Sequence, residues 1–243
     1  MTRGAEAESG DESTLAADRV VASLRQDIVE ARLRPGARLP DQRLAERFGV
    51  SRNTIRDALR LLVAEGLVVS RLHAGSAVRR LRPDDVRDIY AVRRVLEAAG
   101  IRVSALATEE RLAAVERAVE CAEHAVDSQR WSEVGTASLD FHRALVDLHS
   151  SARLSGFFAT IIAQLRLAFA DMDDERAFQA LWIPRDRVIC EFVLSGRREE
   201  ATAALERYLD DSERIVIDVV RRAGRRRASR KDFPLTAVSR PPR

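Results

Sequence analysis

Between Pro40 and Gly66 the chain reads DQRLAERFGVSRNTIRDALRLLVAE, and few folds accept that order of residues. Asp41 can cap a short helix through about Phe48, and Gly49 can adopt the left-handed conformation that ends it. Ser51 can then cap a second helix from about Arg52 to Glu65, closed by Gly66. In that second helix Ile55, Ala58, Leu59 and Leu62 recur at helical spacing and predict a packed face. Arg52, Arg56 and Arg60 stand four residues apart, so they share a face beside it. One stripe is basic and its neighbour is apolar.

The flanking segments complete a pattern. Val20, Val21, Leu24, Ile28 and Leu33 recur at helical spacing from Leu15 to about Arg32. LRPGARLP then breaks the helix through Pro35, Gly36 and Pro40. After Gly66, LVVSRL and SAVRRL flank HAG and read as a small hairpin. Helix, short helix, tight turn, helix and hairpin together are the winged form of the helix-turn-helix. Its second helix must pack on one face and leave another free to enter the major groove of DNA. Arg52, Asn53 and Arg56 supply the free face, with Arg52 and Arg56 expected to read bases. Thr54 is expected to add base or phosphate contacts, Ser51 to cap the helix and touch a phosphate, and Gln42 to join the same DNA-facing set.

Charge divides the chain in the same place. Residues 14–82 hold 14 arginines against seven acids, whereas residues 83–220 hold 17 arginines against 26 acids. The last 23 residues hold nine basic side chains and one acid. A basic block beside an acidic one predicts two domains with different partners. The expected organisation is a disordered start (1–13), a DNA-binding domain (14–82), a helical domain (83–222) and a basic disordered tail (223–243). Few glycines, few prolines and 5% aromatics favour a mainly α fold. The longest apolar runs fall short of a membrane span, the polar start MTRGAEAESGDEST lacks the apolar core of a signal peptide, and Cys121 and Cys190 are too few for a disulfide framework. A cytoplasmic protein without a membrane partner is expected.

The words LRPGARL (33–39), LAERFGVSRNTIRDALRLL (44–62), EGLV (65–68) and GSAV (75–78) resemble the GntR family of bacterial transcription regulators, and LPDQRLA is arranged as in its FadR-like branch. Relatives commonly carry Arg just before the wing glycine. Here Ala74 precedes Gly75, which leaves His73 and Arg71 as the wing's DNA contacts. Residues 84–220 look like the all-helical effector-binding (FCD-type) domain of that branch, through DDVRDIYAVRRVLEAAGIRVSALA, DFHRALVDL and ICEFVLSGRREEATAALERYL. The helical periodicity alone says the same: amphipathic stretches are separated by breaks at ATEE, SQRW, HSSA, DMDDERA and SGRR.

The resemblance implies a homodimer on a palindromic operator, most often repressing, whose binding is modulated by a small-molecule effector, frequently a carboxylated metabolite. Arg93 and Arg94 are candidates to pair with that carboxylate through the planar guanidinium fork, Arg93 the better placed. The family's metal site uses one Asp and three His. In this chain only His142 keeps its place. Ser138 stands where the Asp belongs, and Asp186 and Tyr208 stand where two of the His belong. That set suits Zn²⁺ or Ni²⁺ poorly, so no metal cofactor is expected. Arg93, Ser138, His142, Asp186 and Tyr208 are instead expected to converge and bind an effector directly, or else simply to satisfy one another. No nucleophile elbow or phosphate loop appears, so no enzyme is expected. The competing reading is a nonspecific architectural DNA binder with a vestigial pocket, encouraged by the tail RRAGRRRASRK.

Overall fold

A computed structural model describes residues 3–71, 75–170, 172 and 174–231. The chain opens with α1 (Arg3–Val29), so the helix starts well before the apolar periodicity at Leu15, and residues 3–13, expected to be disordered, continue it. A two-residue strand, β1 (Arg38–Leu39), precedes α2 (Asp41–Phe48) and α3 (Arg52–Ala64). Strands β2 (Val68–Arg71) and β3 (Gly75–Val78) follow, and β3 lies between β1 and β2 in an antiparallel sheet. The hairpin was legible, but β1 was not: two residues become a strand only through the distant pairing Arg38↔Ala77 and Leu39↔Ser76.

The turn between α2 and α3 forms as the residue types dictate. Gly49 takes φ +63°, and its N–H bonds the Ala45 carbonyl. A left-handed residue there costs glycine nothing. Ser51 Oγ accepts from Thr54 N at 3.1 Å, and Ile55, Ala58, Leu59 and Leu62 are buried.

Seven helices complete the described fold: α4 (Pro83–Val103), α5 (Glu109–Asp127), α6 (Trp131–Asp147), α7 (Ala152–Phe169), α8 (Glu175–Gln179), α9 (Ile183–Leu194) and α10 (Arg198–Lys231). Their ends coincide with the polar breaks read in the sequence, except that QALW also separates α8 from α9. Helix α10 carries the first part of the basic tail as helix, and residues 232–243 lie outside the described residues. Asp85 ties the sheet to α4, accepting from Arg82 N at 2.7 Å and from Arg79 Nη2 at 2.8 Å.

Helix α7 has the length and apolar composition of a membrane span, but half of it is buried inside the protein, against α1, α4, α6 and α10. Its Phe158, Ile162 and Leu165 belong to one apolar core that also includes Leu24 of α1, Ile55 of α3 and Leu209 of α10. The core is therefore continuous across the basic and acidic halves of the chain. Gly100 lets α4 and α6 meet: a Cβ there would lie 2.1 Å from the Leu145 carbonyl oxygen.

Candidate functional site

Two places gather the residues singled out from the sequence. The first is the open face of α3. Arg52, Asn53 and Arg56 are exposed in its first turns, and each arginine is held by α2. Arg52 Nη2 donates to Gln42 Oε1 at 2.9 Å, and Arg56 Nε donates to Asp41 Oδ2 at 3.1 Å. Both guanidinium groups are thus pre-placed at the helix N-terminus by partners on α2. Arg60 leans instead on Asp57 at 2.7 Å. Thr54, expected to add a base or phosphate contact, is placed differently from the arginines. It is 6% exposed and its hydroxyl lies 2.9 Å from Ser51 Oγ, so it braces the cap rather than facing outward.

Gly75 and Arg56 line one cleft of about 360 Å³ between α3 and the sheet. The opposite face of the sheet bears a second cleft of about 410 Å³, lined by Arg71 together with Arg38 and Arg80, which sequence reasoning passed over. Arg38 could have been found only from the strand pairing that turns it to the side of Ala77. His73 lies outside the described residues.

The second place is buried between α4, α6, α9 and α10. Arg93, Ser138, His142, Asp186 and Tyr208 do converge there, all of them buried. Ser138 Oγ donates to Asp186 Oδ2 at 2.7 Å, and the rings of His142 and Tyr208 stand 4.8 Å apart. The residue that reorganises the site is Glu97, which sequence reasoning missed. Arg93 Nε donates to Glu97 Oε1 at 2.7 Å, and His142 Nδ1 lies 2.6 Å from Glu97 Oε2. Arg93 was expected to await an external carboxylate; the chain supplies one from the next turn of the same helix. The signal was present, because Arg93 and Glu97 are four residues apart. Arg94, the other candidate, turns outward to Asp210 and Glu213.

Burial governs the ionisation of this cluster. It pushes the Asp186 carboxyl well above the usual range, against the hydrogen bonds of Ser138 and Tyr208 that favour the carboxylate. It also pushes His142 down, overriding the pull of Glu97. Burial would raise Glu97 too, but Arg93 and His142 outweigh it and hold that carboxyl below its ordinary value. A neutral His142 then donates from Nδ1 to Glu97 and leaves Nε2 as an acceptor.

Four buried polar atoms in or beside the cluster make no hydrogen bond within the described protein: Arg93 Nη2, His142 Nε2, Asp186 Oδ1 and Trp182 Nε1. His142 Nε2 and Asp186 Oδ1 are 3.6 Å apart, beyond a good hydrogen bond. Buried atoms of this kind normally find partners. The donor set does not fit the family's metal. Among the described residues no group of three or more His, Cys, Asp and Glu is placed to hold an ion, and Arg93 brings a fixed positive charge into the same space.

Comparison with known proteins agrees with both halves. The family model "Bacterial regulatory proteins, gntR family" matches residues 16–78, and the "FCD domain" model matches residues 88–211. The "Uncharacterized HTH-type transcriptional regulator BphR" of Paraburkholderia xenovorans is 36% identical over 58% of this chain, which spans 61% of that relative's length. The "Probable D-xylose utilization operon transcriptional repressor" of Paenarthrobacter nicotinovorans is 29% identical over 81% of this chain and 86% of its own. "The crystal structure of a putative transcriptional regulator GntR from Rhodococcus sp. RHA1" superposes with a TM-score of 0.78 at 33% identity, covering 83% of this chain and 97% of that one. With a DNA-binding domain whose open helix carries Arg52 and Arg56, followed by an FCD domain enclosing the Arg93 cluster, the chain belongs to the GntR family of transcriptional regulators.

Proposed function

We propose that this chain is a homodimeric regulator of the FadR-like branch, acting in the cytoplasm as a repressor. It binds one two-fold operator sequence, and an effector held at the Arg93 cluster changes that binding. Arg52 and Arg56 read bases, Asn53 and Gln42 assist, and Ser51 fixes the helix that carries them. Arg71, His73 and Gly75 form the wing's share of the contact. A dimer is required because a single recognition helix reads too few bases for useful specificity.

The observation that carries the effector reading is the set of buried, unbonded polar atoms on Arg93, His142 and Asp186, in the middle of a domain otherwise packed with apolar side chains. Glu97 narrows what such an effector can be, because it already occupies the arginine that an organic acid would use.

The experiment is selection of duplexes from a random library with the full chain. An enriched site with two-fold symmetry, bound by a dimer in light scattering, is the expected result. Equal affinity for enriched and scrambled duplexes would instead favour the architectural reading. One observation speaks for that second reading: α10 runs on through Arg221, Arg222 and Arg225 to Lys231, a basic helical end suited to phosphates.

A further inference from the structure

The buried cluster balances its own charge. Arg93 and Glu97 are respectively 2% and 0% exposed at their side chains, and the second oxygen of Glu97 is taken by His142. A carboxylate entering this space would bring a second anion beside Glu97 against a single guanidinium, with both anions stripped of water. That arrangement costs more than the one guanidinium returns.

We propose that the site takes an uncharged, hydroxyl-rich molecule, of the polyol or aldose class, rather than an organic acid. The inference rests on the reading of this cluster as the effector site. The unfilled atoms have the right mixture. Arg93 Nη2 is a donor, His142 Nε2 with its Nδ1 turned to Glu97 is an acceptor, and Asp186 Oδ1 lies 3.6 Å from that nitrogen. A hydroxyl donates and accepts at once, whereas a carboxylate only accepts, so it could use the donors Arg93 Nη2 and Trp182 Nε1 but not the acceptor His142 Nε2. The walls are aromatic. Tyr90 lies under the Arg93 guanidinium at 4.9 Å, and Tyr208 packs against both His142 and Trp182 at 4.8 Å, so a ligand's C–H groups would meet these rings only where it displaces one of those contacts. The cluster is enclosed by α4, α6, α9 and α10, so entry requires those helices to part, and the ligand's hydroxyls replace contacts between them.

The test uses the full chain and matched probes: a pentitol and an aldopentose against the corresponding aldonate and a uronate. Each is titrated near neutral pH by calorimetry and by thermal shift at about 1 mM, where a ligand of sub-millimolar affinity raises the apparent stability. The neutral compounds should bind and the acids should not. Glu97→Gln should reverse the order by leaving the guanidinium uncompensated, gaining roughly 10-fold or more for the acid. His142→Gln should abolish the response to the neutral probe. Binding of the acids alone by the parent overturns this inference and leaves the effector site standing. A neutral-probe response unchanged in His142→Gln places the ligand elsewhere and also overturns it. Binding of neither class overturns the effector-site reading itself.

Discussion

Gln164 Nε2, on α7 of the FCD domain, donates to the backbone carbonyl of Glu65 at 2.7 Å, 99 residues away and at the C-terminal end of α3. Two residues further along α7, Arg166 Nε donates to the Val29 carbonyl at the end of α1, at 3.0 Å. The last carbonyls of a helix lack intrahelical partners and carry partial negative charge. One FCD-domain helix therefore caps two helices of the N-terminal domain, and Arg25 paired with Glu65 at 2.5 Å locks α1 to α3 behind them.

This clasp adds to the apolar core that already runs through both halves, and together they predict one unfolding unit. The parent should unfold in a single calorimetric transition. Gln164→Ala combined with Arg166→Ala removes both caps, at about 1 kcal/mol for the amide and more for the charged donor. Because the apolar core still spans both halves, the double variant should keep one transition at a lower temperature. Two separate transitions would show that the caps, not the core, couple the domains.

Gly100→Ala tests the α4–α6 crossing. A methyl group 2.1 Å from the Leu145 carbonyl meets backbone, which cannot rotate away, so the helices must separate. The better helix propensity of alanine offsets only part of the overpacking, and a net loss of about 1–3 kcal/mol is expected. Urea denaturation that gives equal or greater stability for the variant would contradict the packing described.

Asp186 makes stability depend on pH. Burial raises its folded-state pKa above the unfolded value near 3.9. Its contribution is thus fully present below that value and is lost as pH rises towards the folded pKa, because the unfolded chain releases the proton first. Asp186→Asn cannot ionise in either state and preserves an acceptor for Ser138. The variant should gain on the parent as pH rises from about 4, with the two converging below it. Denaturant midpoints across that range decide the matter, and a difference independent of pH would mean that Asp186 does not titrate as described.

Much of this was legible in the sequence, and the misses share a cause. Gly49 and Ser51 marked the tight turn because capping is written in two or three adjacent residues. Ser138, His142, Asp186 and Tyr208 were found because the family resemblance carried its ligand positions onto them, not through any pattern in their own spacing. The contact of Thr54 with Ser51 was not legible, because the spacing of Thr54 beside Arg52 and Arg56 says nothing of its hydroxyl turning back onto the cap. Glu97 was missed although it stands four residues from Arg93, since an i,i+4 pair more often decorates a surface than fills a core. The α7 caps were invisible: a side chain bonding a distant carbonyl leaves no local pattern.

The most direct test of the account is a mobility-shift competition between a library-selected duplex and its scrambled counterpart, run with the parent and with Arg56→Ala. Arg56 is exposed, pairs with Asp41 and does not enter the core, so the variant should fold normally. Loss of a base-reading arginine costs roughly 1–3 kcal/mol of discrimination. The account predicts that the variant keeps its affinity for scrambled DNA to within the loss of one charge, while its preference for the selected duplex collapses. An unchanged preference in Arg56→Ala, with the parent discriminating normally, would contradict the claim that the N-terminal arginines of α3 read the operator.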